Sequence, residues 1–132
     1  MSPHRFPVRI YYEDTDFSGF VYHAAYLKFF ERGRTEFLRA LGVHHVELAQ
    51  GGIAFAVRSM ELEFLAAARI DDMLEVRTRV IEATGVRLLL EQTILRDETV
   101  LTKARVLVVA IKTSGGAARL PPALRARLAA DL

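Results

Sequence analysis

The hydrophobic positions of this chain change period twice. Val8 to Tyr12 is a short β-branched and aromatic run, which predicts a strand. Glu13 to Gly19 is polar and reads as a turn. Tyr26, Phe29, Phe30, Gly33, Phe37 and Leu41 then recur at i, i+3, i+4 and i+7, lining one face of a helix. Lys28, Glu31, Arg32, Thr35 and Arg39 occupy the opposite side, and Gly42 follows as a C-cap. Beyond Gly52 the period becomes two. Met60, Leu62 and Phe64 alternate with polar residues, and so do Leu74, Val76, Thr78 and Val80. Val86, Leu88, Leu90 and Gln92 form a third set; Thr102, Ala104, Val106, Val108 and Ala110 form a fourth. Asp71-Asp72, Thr84-Gly85 and Asp97-Glu98 supply turn chemistry between them. Ala49 to Gly52 and Ser114 to Pro122 read as loops, the second leading to an Ala/Leu/Arg-rich helical tail, Ala123 to Leu132. The order strand, helix, four strands with short connections predicts an antiparallel sheet with one helix on one face, an α+β domain.

A length of 132 residues fits a single domain spanning 1–132, large enough to hold a core without disulfides. With 0 Cys, the chain has no disulfide, thiolate nucleophile or thiolate metal site. Its serines are few: Ser2, Ser18, Ser59 and Ser114. The 18 basic and 16 acidic residues leave +2, too little for a nucleic-acid footprint, though a small anionic ligand remains open. No stretch of 18 apolar residues occurs, and Met1 to Pro7 has no signal-peptide core, so a soluble cytoplasmic protein without a transmembrane segment is expected. One helix cannot cover both faces of five strands, which predicts a homo-oligomer.

Candidate chemistry concentrates in Tyr11-Tyr12-Glu13-Asp14-Thr15-Asp16-Phe17-Ser18-Gly19-Phe20-Val21-Tyr22-His23. This segment joins a strand end to a helix start. A carboxylate there can activate water or attack a carbonyl, and the free N–H groups of a helix start can hold the resulting oxyanion. The residues alone leave two alternatives open. Asp and Ser before a helix are ordinary caps and turn formers. Glu13, Asp14 and Asp16 are hard oxygen ligands, although in a strand Asp14 and Asp16 would share a face that Glu13 opposes. Ser18 neighbours no base in a nucleophile-elbow pattern, which favours Asp16 as the reactive group.

Val8-Arg9-Ile10-Tyr11-Tyr12-Glu13-Asp14-Thr15-Asp16, Gly19, Val21-Tyr22-His23-Ala24, Tyr26 and Phe30-Glu31-Arg32-Gly33-Arg34-Thr35-Glu36 resemble the hotdog-fold acyl-CoA thioesterases. More narrowly they resemble the YbgC-type branch, associated with the Tol-Pal cell-envelope system and related to 4-hydroxybenzoyl-CoA thioesterase. The likeness continues through Phe55-Ala56-Val57-Arg58, Ala68-Arg69-Ile70-Asp71-Asp72 and Ala104-Arg105-Val106-Leu107-Val108-Val109, covering residues 5–112. It implies a five-stranded antiparallel sheet wrapped around one long helix, assembled as dimers or tetramers with active sites at the dimer interface. It also implies Asp16 as catalytic carboxylate, the His23 backbone N–H as carbonyl polariser, and Tyr12 and the His23 side chain as accompanying groups. Gly19, Val21 and Tyr22 would line the substrate, and Arg58 and Arg69 are candidates for the coenzyme A phosphates. Asp14 is expected to orient the motif and Glu31 to pair with an arginine. No metal or cofactor is implied beyond the coenzyme A of the substrate; acyl carrier protein is a further candidate partner. Three departures stand out: Phe17-Ser18-Gly19 where the branch often has Ala-Gly-Gly, Gly33 for Ala, and Ala67 for Pro. Phe17 is expected to narrow the acyl pocket. Competing readings are an envelope-system adaptor with little activity and a hydroxyacyl-thioester dehydratase.

Overall fold

The computed structural model describes residues 3–132; Met1 and Ser2 of the N-terminal stretch Met1 to Pro7 lie outside them. Five strands, β1 (His4–Arg9), β2 (Ile53–Phe64), β3 (Met73–Ala83), β4 (Arg87–Arg96) and β5 (Thr99–Lys112), form one antiparallel sheet in the order β1-β3-β4-β5-β2. The long helix α1 (Ala25–Ala40) packs on one face. This is the α+β hotdog arrangement expected.

The buried side of α1 is Tyr26, Phe29, Phe30, Gly33, Arg34, Phe37 and Leu38, the predicted face plus an arginine. It meets Leu74, Val76 and Val80 of β3, Leu88, Leu90 and Ile94 of β4, and Ala104, Val106 and Val108 of β5. Gly33 sits where contact is tightest: a Cβ there would lie 2.5 Å from Val76 Cγ1. Beside Gly33, Gln92 links the two layers. Its side chain donates to Phe30 O and to Thr78 Oγ1 and accepts from Arg34 Nη1 at 3.0 Å, satisfying buried polar groups. Register shifts at Val57/Ser59, Val80/Glu82 and Ile94/Leu95 add bulges, which bend strands and help curve the sheet around the helix.

The first strand lies earlier than predicted. It ends at Arg9, and Tyr12–Asp14 form a 3-10 turn instead. The cause is local: Asp14 Oδ2 accepts the Tyr11 N–H at 2.9 Å, diverting the backbone from the ladder. The stretch expected to begin a loop at Ala49 is the end of a short helix, α2 (His45–Gln50). Gly42, at φ +84°, closes α1 as predicted: its N–H reaches Arg39 O and the Val43 N–H reaches Leu38 O, a Schellman pair.

The tail forms α3 (Pro122–Ala130) and joins the core through Leu120, Leu124 and Leu128. Its Arg127 donates to Leu41 O at 3.0 Å, serving the open C-terminal carbonyls of α1. The sheet face away from α1 carries ion pairs, among them Arg79–Glu91 and Arg77 with Glu75 and Glu98.

Candidate active site

The segment between β1 and α1 folds back on itself. Thr15 and Val21 form an isolated bridge, the Asp16 N–H reaches Phe20 O, and the Gly19 N–H reaches Asp16 O. Asp first and Gly fourth is the preference of a type I turn, and Gly19 at φ +85° supplies the left-handed exit. Two anchors fix this loop to the body. Val21, which is buried, donates to Ala68 O, and Phe20 bridges Arg69. The opposite strap is itself held: the buried Tyr26 hydroxyl accepts the Ala68 N–H, while Asp72 Oδ2 accepts from the Arg69 N–H and from Arg96 Nη1. These bonds keep the Asp72 carboxyl below its ordinary value, the Arg69 N–H contributing most.

On this scaffold the Asp16 carboxylate is exposed. Oδ1 accepts both the Ser18 N–H, at 2.8 Å, and the Ser18 hydroxyl. Oδ2 accepts nothing from the described residues. The Ser18 hydroxyl first, then its N–H, hold the Asp16 carboxyl below the ordinary carboxylate value; the field of His23 adds a smaller push in the same direction. The His23 ring lies against Tyr22 at 4.5 Å and faces Phe64 edge-on at 6.3 Å.

The helix start is open. The N-cap of α1 is Ala24, which offers no side-chain oxygen, so neither Asp16 nor Ser18 caps it. Among the described residues the N–H groups of His23 and Ala24 have no acceptor, whereas that of Ala25 reaches Tyr22 O. An exposed carboxylate thus stands in the loop that leads into an imidazole and an uncapped helix start. Asp14 is turned onto Tyr11, and no group of three His, Cys, Asp or Glu side chains suited to a metal ion occurs among the described residues.

Other candidates fall differently. Gly19, Val21 and Tyr22 belong to the loop and to the approach to α1. Arg69 lies over the Phe20 ring, its guanidinium carbon 4.4 Å from the centroid. Tyr12 is 82% exposed and forms no side-chain hydrogen bond among the described residues, so it is neither a packed strand aromatic nor a bonded partner of Asp16 in the protomer. Phe17 projects fully into solvent and narrows no pocket of its own chain. Glu31 pairs with no arginine among the described residues, although it lies in the field of the buried Arg34. Arg58 is the bulged residue of β2, six positions along the strand from Phe64 and hence ~20 Å away from the His23 neighbourhood. A cleft of about 530 Å³ went unforeseen, because the leucines and valines that line it read as plain core. It lies between α1 and the sheet, bounded by Leu38, Phe55, Val57, Leu90 and Val108, with Arg34 at its wall.

A family model described as the Thioesterase-like superfamily matches residues 11–128. This chain belongs to that superfamily. Within it, the chain is 47% identical over 107 residues to the acyl-CoA thioesterase YbgC of Haemophilus influenzae, covering 80% of this chain and 79% of that protein. It is 48% identical over 108 residues to the acyl-CoA thioester hydrolase YbgC of Escherichia coli O6:H1, covering 81% of each. Among solved structures, a probable thioesterase from Bartonella henselae superposes with a TM-score of 0.88 at 46% identity, covering 91% of this chain and 100% of that one. This thioesterase-like chain therefore sits in the YbgC branch. No helix among the described residues is long and apolar enough to cross a membrane.

Proposed function

We propose that this protein hydrolyses acyl-CoA thioesters to a free acid and coenzyme A, with Asp16 as the reacting carboxylate. What supports it most is the combination of an exposed Asp16 carboxylate and an uncapped helix start in a YbgC-type chain. Asp16 Oδ2 either takes a proton from water as that water attacks the thioester carbonyl, or attacks the carbon itself to give a mixed anhydride that water opens. In both routes the carbonyl oxygen gains the negative charge and faces the N–H groups of His23 and Ala24. The C–S bond then breaks, the sulfur leaves with the electron pair, and the His23 imidazole is placed to protonate it. Gly19, Val21 and Tyr22 line the approach, Tyr12 flanks it, and Arg69 and Arg58 meet the phosphates. The enzyme works in the cytoplasm and needs no cofactor.

Arg58 reaches the same substrate as Asp16 through a second copy. β2 is an edge strand with one side unpaired, and antiparallel pairing of two β2 edges sets Arg58, midway along the strand, at the seam between the two chains.

Asp16→Asn keeps the shape and removes the base. Thiol release across a panel of acyl-CoA chain lengths is expected to fall by roughly 10²–10⁴-fold in kcat, with an unchanged melting temperature. Wild-type rates in that variant would sink the assignment. A wild-type protein that releases no thiol from any acyl-CoA would favour the adaptor reading.

A further inference from the structure

We infer that Ser18 is the positioning residue of Asp16: it occupies Oδ1 with two hydrogen bonds and thereby leaves Oδ2 as the single reactive oxygen. The inference rests on the reading of Asp16 as the reacting carboxylate.

Three contacts carry it. The Ser18 N–H donates to Oδ1 at 2.8 Å, closing an Asx-type ring between residues i and i+2. The Ser18 hydroxyl donates to the same oxygen at 2.5 Å, within the range of a charge-assisted O–H···O⁻ bond. The Phe20 N–H donates to Ser18 Oγ at 3.2 Å. This third bond orients the hydroxyl. An Oγ that accepts from Phe20 has its own hydrogen free to point at Asp16, so the backbone of one residue sets the proton direction of another. The carboxylate is consequently locked about its last torsion, a rotor that is otherwise broad and two-fold.

Charged neighbours do not duplicate this. Asp14 is committed to the Tyr11 N–H, and Arg69 lies on the Phe20 ring. His23 acts on Asp16 through its field, more weakly than either Ser18 bond.

Ser18→Ala, Ser18→Thr and Asp16→Asn, measured together on the acyl-CoA that the wild type cleaves fastest, test the idea. Ser18→Ala is expected to lower kcat by ~10-fold with KM and melting temperature unchanged, since misplacement of a reacting group acts on the chemical step. Ser18→Thr, which keeps the hydroxyl, is expected to recover most of the loss. In a carbon-13 NMR titration the Asp16 carboxyl of Ser18→Ala should move up toward the ordinary carboxylate value. An Ser18→Ala enzyme with wild-type kcat and an unmoved Asp16 titration would overturn the inference while Asp16→Asn remained inactive. An active Asp16→Asn would instead remove the reading beneath it.

Discussion

Asp72 shows how single side chains stabilise the active-site loop from outside it. It accepts the Arg69 N–H and the Arg96 guanidinium, and its backbone carbonyl takes the Ile10 N–H. Because these donors favour the charged form, its folded-state value lies below the ordinary 3.8. The linkage sign follows from that direction. Stability contributed by the ionised group is complete above the unfolded value and is lost as pH falls through the lower folded one. Asp72→Asn is therefore expected to melt at a lower temperature at neutral pH. Its deficit should shrink steadily once the pH drops below 3.8, as thermal melts across the acid range will report. A constant deficit would mean that the carboxylate charge has no part in it. Ser18 belongs to the same scale. Read along the sequence it has no base to activate it; folded, it donates to the Asp16 carboxylate.

Between helix and sheet, close approach outweighs helix propensity. Gly33 costs α1 ~1 kcal/mol relative to alanine, yet an added methyl would meet the stiff, fully buried Val76. Overpacking of this kind costs about 1–3 kcal/mol. Gly33→Ala is accordingly expected to lower stability by about 1 kcal/mol, equivalent to ~3–6 °C in Tm for a domain of this size. Adding Val76→Ala should relieve the clash, so the double variant is expected to be more stable than the two single losses summed. A Gly33→Ala protein more stable than wild type would show that the sheet yields freely there. The central strands were legible because alternation decides which side is buried, and Leu74, Val76, Thr78 and Val80 all point inward as read. The first strand was displaced because Tyr11 and Tyr12 suit a ladder, but the Asp14 side chain claims the Tyr11 N–H first. The burial of α3 escaped notice because three leucines four residues apart, Leu120, Leu124 and Leu128, make a stripe too narrow to declare itself.

For the molecule as a whole, the open flank is β2. Its twelve residues carry exposed Val57 and Phe64, and β5 is their one strand partner. A long unpaired edge of that kind is stable when a second chain adds to it. Light scattering coupled to size exclusion is expected to find a dimer or a multiple of it, and Val57→Lys with Ser59→Pro to shift the population toward monomer with loss of activity. A fully active monomer would place Arg58 outside the site. The site was legible in unequal parts. Asp16 and His23 stood out through resemblance, and the structure sets the Asp16 carboxylate exposed in the loop that leads to His23 and the start of α1. The bulge that holds Arg58 was not legible, and the cleft beside α1 is a property of curvature that no single strand encodes.

The order of the sheet also governs how the chain assembles in time. Strands β3, β4 and β5 are joined by short turns and can zip as successive hairpins. β2 has no such neighbour: Phe64 faces Thr102 and Ile53 faces Lys112, so it stays unpaired until β5 is in place. Closing that long loop demands entropy before any contact rewards it. The flank that a second chain would cover is thus laid down after the central hairpins, and the kinetics of folding and of subunit association converge on the same strand.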